Sequence, residues 1–132
     1  MKNLISERLA IHTIITILSL VIIFHILVLT GVIPYNIVWG GRLQTKEQMV
    51  KFETMSILIN IFMIAIVAVH AGYLQLPVNR TVIRIILWLL AGLFAMNTIG
   101  NLLSTNSFEM LVFTPVTLVL SLLFIRLVIV KR

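Results

Sequence analysis

Few residues in this 132-residue chain can do acid–base or ligand chemistry, so their spacing carries information. Glu53, Ser56 and Asn60 stand at i, i+3 and i+7. On a helix they fall within about 60° of arc, on one face. Asn97, Asn101 and Ser104 repeat the pattern at i, i+4 and i+7, and Thr114, Thr117 and Ser121 at i, i+3 and i+7. Glu109 precedes the last set, and His25 stands on an earlier apolar run. A carboxylate within reach of several amides and hydroxyls is a receptor for a cation or an amine, or a proton acceptor. The competing reading is structural. Asn, Ser and Thr also bond helix to helix in membranes, at about 0.6 kcal/mol on average. Glu53 and Glu109 can equally cap a helix or sit at an interface.

The elements that must position these groups follow from composition. The chain is 61% hydrophobic and 11% charged, with a mean hydropathy of +1.17. Soluble domains are about 45–50% apolar and about 25% charged. Lipid can solvate this excess of apolar surface and water cannot, so the lipid bilayer is the first partner. The net charge of +6 comes from ten Lys and Arg against four Glu. Those basic residues flank apolar runs, which fits lipid headgroups and topology rather than nucleic acid. The absence of cysteine removes disulfides, thiol catalysis and thiolate-bound metals.

Four spans are expected in a single domain over 1–132, at about 11–33, 45–73, 81–103 and 108–130. Each covers the roughly 30 Å hydrocarbon layer at 1.5 Å per residue. The first is too long for the apolar stretch of a signal peptide and reads as a retained helix. Thr45 and Gln48 have capping-box spacing at the start of the second. Leu76-Pro77-Val78-Asn79 breaks the chain before the third, and Thr105-Asn106-Ser107 turns it before the fourth. Asn106 with Glu109 is a candidate cap there. The expected fold is all-α: a transmembrane bundle of four antiparallel helices, up-down-up-down.

Four crossings place both termini and the 75–80 loop on one side, with Lys2, Arg8, Arg80, Arg84, Arg126, Lys131 and Arg132. The other side has Arg42, Lys46 and Lys51, diluted by Glu47, Glu53 and Glu109. Both termini are therefore expected in the cytoplasm, with the chain a multi-pass protein of the cell membrane. The polar stripes, except Ser121, then fall in the outer half. The inner halves of the second and third spans are apolar apart from Arg84. Unpaired polar groups are costly in hydrocarbon, so the stripes should face one another. The expected shape is an outward-facing polar bowl, dry below. Arg84 and Arg126 are expected to snorkel to the cytoplasmic interface.

The segment Pro34–Leu43 is apolar for a loop and holds Tyr35, Trp39 and the Gly40-Gly41 pair. It is expected to lie over the bowl as a lid, with Arg42 paired to Glu53 or Glu109; the plainer reading is an interfacial anchor. Pro115 interrupts the fourth span and frees the carbonyl of Leu111, as a kink or as part of the bowl lining. His12 and His70 fall near the same membrane face, where a bis-His haem or metal site is geometrically open. With no further ligand type nearby, no cofactor and no metal site is assigned. No metalloprotease, phosphate-loop or Ser-His-Asp pattern is present, and no catalytic residue is assigned.

Two stretches, IPYNIVWGGRL at Ile33–Leu43 and NTIGNLLSTNSFEMLVFTPVTLVLSLLFIRL at Asn97–Leu127, resemble a family of small four-span bacterial integral membrane proteins of unassigned function. The resemblance covers about a third of the chain. It implies a bacterial cytoplasmic membrane and brings no activity. The leading expectation is a non-enzymatic protein binding or transporting a small or lipid-like ligand. Its candidate contacts are Arg42, Glu53, Ser56, Asn60, Asn97, Asn101, Ser104, Glu109, His25 and Thr114. The alternatives are an accessory subunit, whose polar stripes only pack helices, and a membrane enzyme using Glu53 or Glu109 as acid and base. Association into a homo-oligomer is compatible with each.

Overall fold

The computed structural model describes residues 6–33, 45–103 and 107–129, with the backbone alone for 107–109. These residues form four α-helices and no strand: α1 Glu7–Leu29, α2 Lys46–Ala71, α3 Arg80–Leu102 and α4 Ser107–Val128. All four are long and apolar enough to cross a membrane, α4 over Met110–Val128. The chain is thus all-helical, with the makeup of a multi-pass membrane protein.

Local chemistry sets the helix ends. Ser6 caps α1 by accepting from the Leu9 N–H at 3.0 Å, and Glu7 places negative charge at the positive end of the helix. This starts α1 a turn before the apolar run at Ile11. It ends at Leu29, short of Ile33, because Gly31 turns the chain at φ +87°. Thr45 caps α2 by accepting from the Gln48 N–H at 3.1 Å, which is the forward half of the expected capping box. The far end of α2 comes at Gly72, before the Pro77 break, where φ of +84° closes a left-handed cap. Asn79 caps α3 through the Thr81 N–H at 2.7 Å. The expected Asn106 cap, the lid at 34–43 and its Arg42 lie outside the described residues.

The most extensive packing joins α3 to α4, then α1 to α2, with α1–α4 and α2–α3 completing the circuit. Side-chain contacts fix which parts meet. Glu7 and His70 lie side by side, as do His25 and Glu53. Phe94 stacks on Phe124 at 5.7 Å, and Phe24 meets Phe113 edge-on at 5.0 Å. One large apolar core, including Ile14, Leu18, Val67, Leu87, Phe94 and Phe124, fills the half of the bundle near the start of α1. A smaller cluster of Val28 and Met49, backed by Phe24, Leu29 and Ile33, lies near the end of α1. Between them stand the buried Glu53, Ser56 and Asn60 of α2, Thr98 of α3 and Thr117 of α4.

Candidate functional site

Glu53 has no exposed surface. Its Oε2 is hydrogen-bonded to Nδ1 of His25, from the last turns of α1. The same helix buries Ser56 and Asn60 on the face that carries Glu53, as their spacing predicts. The Asn60 amide donates to the Ser56 carbonyl at 2.7 Å, so part of its capacity serves its own backbone. Phe24 sits edge-on to the His25 ring at 5.7 Å and, through Phe113, ties this corner to α4.

Thr98 and Thr117, both buried, form a polar contact between α3 and α4. The Thr98 hydroxyl lies 2.8 Å from the Phe94 carbonyl and 2.9 Å from Thr117 Oγ1. Its single proton can serve one of them. Thr117 faces the same choice between the carbonyls of Phe113, at 2.9 Å, and Thr114, at 3.2 Å, in the turn that Pro115 interrupts. The Asn101 amide adds a longer 3.4 Å contact to Thr117 Oγ1. Thr114 Oγ1 is buried with no hydrogen-bond partner among the described residues. Deeper in, Ser121 donates to the Ala91 carbonyl at 2.8 Å.

Of the predicted candidates, the structure brings His25 and Glu53 into contact and buries Ser56 and Asn60 with them. Asn101 and Thr114 are half-buried. Asn97 is the exception: it is exposed, on the outside of the bundle. The inward face of α3 runs Ile83, Leu87, Ala91, Phe94 and Thr98, and Asn97 lies about 100° round the helix from Thr98. Thr98 was the residue missed. Its signal was its place at i+4 from Phe94 on an apolar stripe. Ser104, Arg42 and the Glu109 side chain lie outside the described residues, so the Arg42 pairing does too. Glu53 itself bonds His25, a partner whose shared depth was legible but whose contact was not.

At the opposite end, His70 is buried with its Nε2 3.8 Å from Glu7 Oε2. His12 is exposed and bonds Tyr73 Oη at 2.9 Å, the two rings stacked 6.2 Å apart. The two histidines that could have shared a ligand thus lean on different neighbours. Among the described residues no three His, Cys, Asp or Glu side chains gather as metal ligands would. Arg126, expected to snorkel outward, is instead 5% exposed, packed in the last turn of α4. Its neighbours Leu127 and Val128 belong to the main core, which holds the chain inward at this point.

No protein-family model, curated protein or solved structure matches the chain.

Proposed function

We propose that this multi-pass membrane protein binds a small or lipid-like ligand, for transport or sensing, at the end of the bundle around Glu53 and His25. No chemical step on the ligand is part of this reading. The supporting observation is the buried carboxylate–imidazole pair. Removing a carboxylate from water costs several kcal/mol, and an apolar pair of similar volume is often as stable or more so. A bundle selected for packing alone gains nothing from Glu53. A bundle that must accept a proton, an amine or another small cation gains a receptor. By the excess of basic residues near both termini, the spans alternate with the termini in the cytoplasm of a cell membrane, and the Glu53 end faces outward.

The test is native mass spectrometry of the full-length protein extracted from its membrane. A co-purifying mass is expected on the wild type and should be lost from Glu53→Gln, with helicity and melting retained. The same adduct on both proteins, or none on either, sinks the reading.

A second reading has its own observation. Asn97 is an amide exposed in the middle of an apolar helix. Facing lipid, it would cost several kcal/mol unpaired, and a second helix would satisfy it. An accessory or self-associating subunit would use it so. The chain has no cysteine, so Asn97→Cys offers a clean probe. Oxidation in membranes should then give a cross-linked dimer if two copies meet there; a purely monomeric product at all oxidant levels removes the homo-oligomeric version.

A further inference from the structure

We propose that the notch where α2 hands over to α3 binds a phosphate group, either the headgroup of an anionic lipid or a soluble phosphate, with Arg80 as its charged partner. The site lies at the opposite end of the bundle from Glu53 and is independent of it. Helix α2 stops at Gly72, and the chain runs to Asn79 before α3 begins. Between the helix ends lies a half-open cavity of about 240 Å³. By the same measure one water needs roughly 10–15 Å³, so a tetrahedral anion fits together with part of the molecule carrying it. His70, Gln75 and Arg80 supply its polar lining, and Val69, Val78 and Ile83 its apolar lining.

The surroundings are positively charged. Arg80 and Arg84 stand one turn apart in the first two turns of α3, and Arg80 lines the notch with His70. Arg126 is buried near the end of α4 on the same side of the bundle. Glu7, beside His70, is the acidic side chain described at this end. With Arg8 at the start of α1, one carboxylate stands against four guanidinium groups among the described residues at this end, which leaves a positive surplus. The planar guanidinium of Arg80 can meet two phosphate oxygens at once, which an ammonium group cannot. The first turn of α3 adds the positive end of its dipole. Basic recesses between membrane helices are where anionic headgroups collect. Exposed Leu76, Val82 and Ile85 continue from the notch as an apolar surface on which acyl chains could lie.

The test offers phosphatidylglycerol and phosphatidylcholine at equal concentration to the full-length protein in detergent and reads bound lipid by native mass spectrometry. Phosphatidylglycerol should be retained in preference. Arg80→Gln should weaken its retention about fivefold, the equivalent of ~1 kcal/mol per basic residue at a membrane surface. Val78→Trp fills the notch without changing charge and should weaken retention as well. Lys51→Gln, at the start of α2 and far from the notch, should leave it unchanged. Added inorganic phosphate separates the sources. Displacement of the lipid by phosphate assigns the site to the soluble ion, and persistence of the lipid assigns it to the headgroup; both uphold a phosphate site. Equal retention of the two lipids overturns the proposal. So does an equal effect of Arg80→Gln and Lys51→Gln, or no effect of Val78→Trp in a protein whose helicity is intact.

Discussion

Glu53 and His25 form the residue pair on which the proposed function turns, and the pair makes a sharp energetic prediction. Glu53 is wholly buried and His25 partly so. Truncating one member leaves the other without this partner inside the bundle. Glu53→Leu should therefore cost about 1–3 kcal/mol, the usual penalty for removing one partner of a hydrogen bond inside a protein. The double variant Glu53→Leu with His25→Leu should recover much of that loss, because two apolar side chains then meet where one interaction was removed. Denaturation in detergent of the four proteins of the cycle measures it. Additive losses would mean that the two side chains are held by different neighbours and only happen to touch. Asn97 and Asn101, alike in sequence, should differ at this scale. Asn97→Leu should leave stability unchanged or raise it, because it removes an exposed amide from the lipid-facing side of the helix, while Asn101→Leu forfeits a weak interhelical bond.

At the scale of elements, the α3–α4 seam is the most heavily packed contact in the bundle. Its polar centre is Thr98 against Thr117, with Phe94 stacked on Phe124 beyond it. Each hydroxyl also has a carbonyl of its own helix within reach, so losing the partner does not strand it. The coupling between Thr98→Val and Thr117→Val should accordingly be small, about 0.6 kcal/mol, the average for such bonds between membrane helices. A thermal-melting cycle checks this. A coupling above ~2 kcal/mol would show that the hydroxyls depend on each other rather than on their own carbonyls. Of the helix borders, Thr45 was recognisable as a cap because Gln48 follows it at capping-box spacing, whereas Asn79, which caps α3, was read only as part of the chain break before it. The early stop of α2 was less visible, since Gly72 lies before a stretch, Tyr73–Leu76, that is itself apolar.

For the whole molecule the central prediction is orientation. If the four spans alternate, seven basic residues fall on the side of the termini against three on the other. A reporter fused after Arg132 should be active when it requires the cytoplasm and silent when it requires export. The opposite result would turn the Glu53–His25 end inward and hand the Arg80 notch to the outer leaflet. The two ends of the bundle also divide their chemistry. One has a buried carboxylate paired with an imidazole; the other has the arginines, His70 and an open cavity. The apolar core between them is continuous from Ala10 and Leu127 to Phe94.

Four helices, their approximate limits and the Thr45 cap were readable from the sequence alone. The reason is that lipid leaves the backbone little choice. With no water to bond, an apolar run of span length must be helical, and polar side chains on such a run must cluster. How each helix is rotated about its own axis was not readable. Lipid and bundle core are both apolar, so Leu or Ile on a helix does not tell inside from outside, and the polar residues alone must decide. On α2 three of them agree and the reading of Glu53, Ser56 and Asn60 as one buried face holds. On α3 the asparagines pulled the expected face round by a turn's fraction, whereas packing against α4 selected Thr98 and left Asn97 outside. The pairing of Glu53 with His25 and the burial of Arg126 were decided in the same way: both depend on which side chains three other helices bring to the same depth, and no local spacing encodes that.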